Sequence, residues 1–144
     1  LEVVHHSEFI SELIKEGKIE PEASFDEDVT FHDACYVGRH HGEYDAPRDV
    51  LQSVLSENAT IKEMPRNKEE SFCCGAGGGN MWYEIKQGKR INVERFEEAI
   101  NTGVKKVATS CNFCMIMMED GRKVTGQDKN MEVYDIAELV AERI

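Results

Sequence analysis

The chain has 144 residues, with 28 Asp and Glu against 17 Lys and Arg, for a formal net charge of -11. That length suits one domain that buries a core without disulfide staples, and the acidic balance removes the positive field that binding to phosphate backbones requires. Nucleic acid is therefore not an expected partner. No apolar run approaches the roughly 20 residues of a membrane span and no charged head with an apolar core marks a signal peptide, so a cytoplasmic chain is expected.

Leu1 opens the sequence in place of Met, which reads as a piece of a longer protein, and Leu1 to Val4 reads as a short first strand. Ser7 is expected to cap a helix with Phe9, Ile10, Leu13 and Ile14 on one face, ended by Gly17. An acidic connector from Pro21 to Asp28 leads to a β-branched and aromatic second strand, Val29-Thr30-Phe31-His32, so Cys35 falls just past a strand end. Asp45 is expected to cap the next helix, with Pro47 tolerated in its first turn and Val50, Leu51, Val54 and Leu55 as its buried stripe. Ala59 to Met64 reads as a third strand stopped by Pro65, Ile91 to Ile100 as a helix, and Lys106 to Thr109 as a fourth strand. Cys111 opens a helix through Met118, Met131 to Tyr134 reads as a last strand, and Ile136 to Ile144 as a closing helix. Alternating strands and helices predict an α/β fold, a mostly parallel sheet with helices on both faces. The cysteine loops then lie at the strand carboxyl ends, where sites of open parallel sheets form.

All five cysteines are spaced around the stretch Ser71-Phe-Cys-Cys-Gly-Ala-Gly-Gly-Gly-Asn80: Cys35 before it, the pair Cys73 and Cys74 within it, and Cys111-Asn-Phe-Cys114 after it. An odd number of thiols, two of them adjacent, fits a secreted disulfide framework poorly and metal or redox chemistry in a reducing compartment better. Five buried structural cysteines are the bland alternative, at odds with a placement in which each sits at an expected turn. A helix opening at Cys111 sets positive partial charge beside Cys111 and Cys114, which favours their thiolates. Structural zinc and ordinary cubane clusters each take four ligands, leaving a fifth thiolate over. An adjacent pair suits a larger cluster in which one sulfur bridges two irons, so iron-sulfur ranks above zinc, and a disulfide-exchanging Cys-x-x-Cys ranks below both.

The lone cysteine in His32-Asp33-Ala34-Cys35, the run Cys73-Cys74-Gly75-Ala76-Gly77-Gly78-Gly79 and Cys111-Asn112-Phe113-Cys114 resemble the CCG cysteine-rich domain of heterodisulfide reductase-type iron-sulfur subunits. Tyr44-Asp45-Ala46-Pro47-Arg48 also resembles that family, and the likeness covers nearly the whole chain. It implies a non-cubane 4Fe-4S cluster held by Cys35, Cys73, Cys74, Cys111 and Cys114, with zinc as the alternative. Such domains usually occur in pairs, often after a ferredoxin-like segment. This chain carries one CCG set and no Cys-x-x-Cys-x-x-Cys run, so the whole of 1–144 resembles the C-terminal domain alone. The resemblance implies an oxidoreductase component that passes electrons to a disulfide, or along a flavoprotein-to-quinone chain. Its partners would be other iron-sulfur or flavoprotein subunits, with membrane association only through them at the inner face. Such a domain is not expected to turn over alone. The alternative is a zinc-stabilised domain with a structural or assembly role.

Other candidates have ordinary readings. His32, His40 and His41 flank Cys35 and are expected to be solvated loop residues, with hydrogen bonding to cluster sulfur or metal ligation as the sharper alternative. His5 and His6 read as strand-end residues. Gly75 to Gly79 lacks the Lys-Ser/Thr of a phosphate loop and the third glycine of a dinucleotide fingerprint, and is expected to permit close packing at the cluster. Met115, Met117 and Met118 read as core, and Trp82 as a core or partner-facing residue.

Overall fold

A computed structural model of the chain describes residues 1–83 and 86–144. Its elements in chain order are α1 (His6–Lys15), β1 (Val29–His32), α2 (Asp45–Val54), α3 (Ile91–Asn101), β2 (Lys106–Thr109), α4 (Asn112–Val124), β3 (Glu132–Asp135) and α5 (Ile136–Ala141). The three strands form one parallel sheet in the order β1-β2-β3, with Val29 beside Lys106 and Lys106 beside Glu132. Parallel neighbours need crossovers, and these are helical. Residues alternate between the faces of a strand. Phe31 and Ala108 accordingly join Val50, Leu51 and Val54 of α2 and Ile136, Leu139 and Val140 of α5. Val107 and Val133 join Phe96 and Ala99 of α3 and Met118 of α4. The expected α/β architecture is present, with helices on both faces.

The two helices of the second face lie close because Gly121 of α4 has no side chain. A Cβ there would sit 2.9 Å from the Asn92 carbonyl oxygen and 2.9 Å from Phe96 Cβ. The caps differ from expectation at two helices. His5 caps α1 in place of Ser7: its Nδ1 accepts the Ser7 N–H at 3.2 Å while Glu8 accepts the His5 N–H at 3.3 Å. Ser7 itself is buried. At α2, Glu43 Oε1 accepts the N–H groups of Asp45 and Ala46 at 2.8 and 2.7 Å, so Asp45 is already helical and its expected capping role passes to a longer carboxylate.

Two expected strands do not form. Leu1 to Val4 is exposed and unpaired, since β propensity reflects a half-buried pleated surface and no neighbour supplies one here. Ala59 to Met64 reduces to one parallel bridge, Val29 with Ile61. The bridge is made by the Val29 N–H to the Thr60 carbonyl at 3.1 Å and the Lys62 N–H to the Val29 carbonyl at 2.8 Å. Around it the Asp28 carboxylate accepts the Thr60 N–H and hydroxyl at 2.8 and 3.0 Å and Arg48 donates to Glu63 at 2.6 and 3.0 Å, so side chains hold the rest of this segment where a ladder was expected. The closing helix stops at Ala141, short of Ile144, whereas α4 runs past Met118 to Val124. Among the described residues, no helix is long and apolar enough to cross a membrane.

Candidate metal centre

The carboxyl ends of β1 and β2 carry the first and third cysteine segments. After His32 the chain passes Asp33 and Ala34 to Cys35, where a π-helical turn, Tyr36–His40, begins. After Thr109 it passes Ser110 to Cys111, the N-cap of α4, with Cys114 in the first turn. Cys73 and Cys74 arrive from the side, on an extended loop after a 3-10 turn at Lys68–Glu70, so the pair does not directly follow a strand as the sequence suggested. All five thiols are free; Cys74 and Cys114 are buried, and Cys35, Cys73 and Cys111 are half-buried. Cys114 Sγ donates to Cys74 Sγ at 3.5 Å. A small cleft is lined by Cys35, Cys73, Cys74 and Cys114 together with His32 and Arg39. Cys111 packs with Cys74 and Cys114 in the cluster formed by Ala34, Val37 and Met117.

Asp33 holds the first two segments in register. Its carboxylate accepts a two-pronged bond from Arg48 of α2, Nη1 to Oδ1 at 2.8 Å and Nη2 to Oδ2 at 3.0 Å, and Oδ2 also accepts the Lys68 N–H at 2.8 Å. The Asp33 carbonyl accepts the Ser71 hydroxyl at 3.3 Å, and Arg39 donates to the Ser71 carbonyl at 2.6 Å. Residues on either side of Cys35 thus grip the chain two residues before Cys73. Gly75 then lets the loop turn in at φ 87°, with Ile91 so near that a Cβ would lie 3.1 Å from it. The close approach expected of this glycine is therefore to α3.

Hydrogen bonds divide the protons unequally among the thiols. Cys74 is held well below the ordinary thiol range, chiefly because Cys114 and Cys73 donate to it, with His32 and the Ala76 N–H adding to the effect. Cys73 is pushed up because its proton is engaged with Cys74 and it is partly buried, against one N–H bond from Gly75 at 3.2 Å. Cys111 falls to about 6, led by the Cys114 thiol and supported by the backbone N–H groups of Cys114 and Phe113 at the helix start. Cys114 is pushed up as donor to both Cys111 and Cys74. Two thiols thus favour the thiolate before any cation arrives, and the donors that produce this are backbone and side-chain groups fixed by the fold.

His32 is not a solvated loop residue. It is 1% exposed, and its ring nitrogen lies within 4.8 Å of the Cys74 and Cys114 sulfurs. Burial and the nearby Arg95 push its pKa down, against the hydrogen bond to Cys74. His40 and His41 do face solvent, the former against the Tyr36 ring at 4.9 Å and the latter 3.2 Å from Glu8. His5 serves as a helix cap, and His6 lies 3.5 Å from Asp135. Met117 and Met118 are core, whereas Trp82 is exposed. The residue most completely missed is Arg95: it is fully buried, donates from Nε to His32 Nδ1 at 2.9 Å and from Nη1 to the Arg66 carbonyl at 2.8 Å, and pairs with Glu98. Its one sequence signal is a charge beside Phe96 in the apolar half of a helix.

The CCG family, described as a cysteine-rich domain, matches residues 29–119, which include all five cysteines, His32 and Arg95. The chain is 41% identical over 143 residues to the "Probable iron-sulfur-binding oxidoreductase FadF" of Bacillus subtilis, covering 99% of this chain and 20% of that protein. It is 38% identical over 146 residues to the EtfAB:quinone oxidoreductase of Syntrophomonas wolfei, covering 96% and 20%. It is 40% identical over 148 residues to one subunit of the dihydromethanophenazine:CoB–CoM heterodisulfide reductase of Methanosarcina mazei, covering 99% and 34%. The chain thus spans between a fifth and a third of the length of these relatives. With that family match across residues 29–119 and relatives about 40% identical over nearly the whole chain, the chain belongs to the CCG cysteine-rich domain family.

Proposed function

We propose that Cys35, Cys73, Cys74, Cys111 and Cys114 together hold an iron-sulfur cluster, and that residues 1–144 act as one redox domain of a longer oxidoreductase subunit. The observation that carries this reading is the convergence of three separate cysteine segments on one end of the sheet, with Cys74 and Cys114 sulfurs 3.5 Å apart. The donor set fits such a group: soft thiolates are its usual ligands. Hydrogen bonds from Gly75, Ala76, Phe113 and Cys114 N–H groups favour the charged sulfur that ligation requires. When bound, the cluster would supply one-electron transfer; the chain's own part is to hold the sulfurs, fix their donors and bury Cys74 and Cys114 from water. A five-thiol set suits a non-cubane 4Fe-4S cluster.

The relatives from Syntrophomonas and Methanosarcina act in a flavoprotein-to-quinone system and in heterodisulfide reduction, which supports electron transfer along one of these routes. Of the two we favour the flavoprotein-to-quinone branch, on the similarity to the EtfAB:quinone oxidoreductase of Syntrophomonas. The partners would be iron-sulfur or flavoprotein subunits of the same complex, in the cytoplasm or at the inner face of a membrane through such a partner. Similarity to a "Probable membrane-anchored ferredoxin" of Chromohalobacter salexigens, 38% identical over 139 residues, favours the membrane-proximal site. Alone, the domain should hold its cluster without sustained turnover, since disulfide or quinone reduction needs two electrons. A zinc-stabilised domain is the second reading, favoured by the clustering of His32, Cys74 and Cys114 within 4.8 Å. Metal and sulfide analysis with visible and paramagnetic resonance spectra of anaerobically prepared protein decides between them. Iron with acid-labile sulfide and charge-transfer colour is the expected result; a colourless protein with tightly held zinc that refuses iron would overturn it.

A further inference from the structure

Arg95 reaches from α3 under the end of β1 and gives its Nε–H to His32 Nδ1 at 2.9 Å. A guanidinium stays charged and has no acceptor atom, so the nitrogen that receives this bond must offer a lone pair. His32 Nδ1 is therefore unprotonated, and the ring's one proton resides on Nε2. The ring also borders the centre, with one of its nitrogens within 4.8 Å of the Cys74 and Cys114 sulfurs. Geometry alone would admit His32 with Cys74 and Cys114 as three ligands of a cation, since their donor atoms lie within 4.8 Å. The tautomer that Arg95 selects leaves Nε2 without the lone pair that ligation needs.

Arg95 is in turn held in place. Its Nη1 donates to the Arg66 carbonyl at 2.8 Å and pairs with Glu98, and Arg66 bonds Glu98 and, at 3.0 Å, Glu94. With Arg95 0% and His32 1% exposed, water does not compete for either bond.

We propose that Arg95 and His32 are positioning residues forming a relay that keeps a proton on His32 Nε2 directed at Cys74 Sγ, so that His32 serves the centre as a hydrogen-bond donor to a sulfur and not as a ligand. The proposal rests on the reading of the cysteines as cluster ligands. Donation to a ligating sulfur stabilises the reduced, more negative form of a cluster and raises its potential.

Long-range proton–nitrogen correlation on anaerobic, metal-free protein with 15N-histidine tests the tautomer without any cluster. The His32 signal, identified by its loss in His32→Gln, should show a protonated Nε2 and a hydrogen-bond-accepting Nδ1; a proton on Nδ1 overturns the relay. In the reconstituted protein the cluster potential should become more negative in His32→Leu. It should stay near the parent value in His32→Gln, whose amide retains an N–H donor. An unchanged potential in His32→Leu, or loss of bound iron in His32→Gln, overturns the donor role. A purely structural role would lower the melting temperature and leave the potential in place. If the tautomer is as stated and the protein takes up no cluster, the cofactor reading fails and the relay stands.

Discussion

Val50, Leu51 and Val54 of α2 and Leu139 and Val140 of α5 bury one face of the sheet with aliphatic carbon, whereas α3 and α4 cover the other with Phe96, Ala99 and Met118 interleaved with Arg95 and Asn92. The first arrangement takes its stability from area removed from water and tolerates imprecision. The second ties its polar groups to named partners: Arg95 to His32, Arg66 and Glu98, and Asn92 to the Met117 carbonyl and Asp120 at 3.0 and 2.7 Å. Those bonds cross from α3 to β1 and to α4, the two elements that present Cys35 and Cys114. One face gives the domain its core, and the other fixes the distances on which a metal centre depends.

The largest effect is expected at the polar face. Replacing Arg95 by Ala leaves His32 Nδ1 and the Arg66 carbonyl without their donor, while Glu98 keeps Arg66, a loss of about 4 kcal/mol at roughly 2 kcal/mol for each buried acceptor left unsatisfied. It should also change the alkylation rate of Cys74 in metal-free protein. Urea unfolding with mapping of the alkylated cysteine checks both parts. Leu51→Ala on the aliphatic face should cost about 3 kcal/mol through a cavity. The relative alkylation rates of the five cysteines should stay as they are in the parent. A Leu51→Ala variant that altered those rates as much as Arg95→Ala would erase the distinction between the faces.

The aliphatic face was also the more legible of the two. Periodicity marked Val50, Leu51, Val54, Leu139 and Val140 because an amphipathic helix on a sheet buries carbon at regular intervals, and Val29–His32 and Lys106–Thr109 stand where their β-branched residues place them. Leu1 to Val4 carries the same signal with no neighbouring edge to pair with, and Ala59 to Met64 meets the edge of β1 at one bridge, an extent of pairing that local sequence does not describe. Cysteine spacing pointed to one end of the sheet, since it depends on topology and strand ends can be read. Arg95 could not be found that way: its burial depends on a histidine 63 residues distant, and a charge in a helix ordinarily faces water. His32 reads as a solvated loop residue for the same reason: it is a polar residue at the end of a strand, and its burying partner lies on α3.

The smallest expected effect lies at the outer edge of β1, where Asp28 holds Thr60. Hydrogen bonds from the Thr60 backbone and hydroxyl pull the Asp28 carboxyl below its ordinary 3.8. A folded-state value below the unfolded one contributes stability that is complete above the unfolded value and is lost as pH falls through the folded one. The contribution of this clip should therefore disappear below about pH 4. Asp28→Asn should lower the urea midpoint slightly at pH 7 and flatten its decline between pH 4 and 2. A variant that follows the parent curve throughout would show that the clip does not hold the segment in solution.

The central claim is that five thiols from three segments serve one cluster, and anaerobic iron-sulfide reconstitution of the five single Cys→Ala variants beside the parent tests it most directly. The parent should take up iron and acid-labile sulfide in nearly equal amounts, with charge-transfer absorption and a paramagnetic signal in one redox state. Each variant, Cys73→Ala and Cys74→Ala included, should lose iron or change that signal. Parent-like iron content and unchanged spectra in both Cys73→Ala and Cys74→Ala would contradict it.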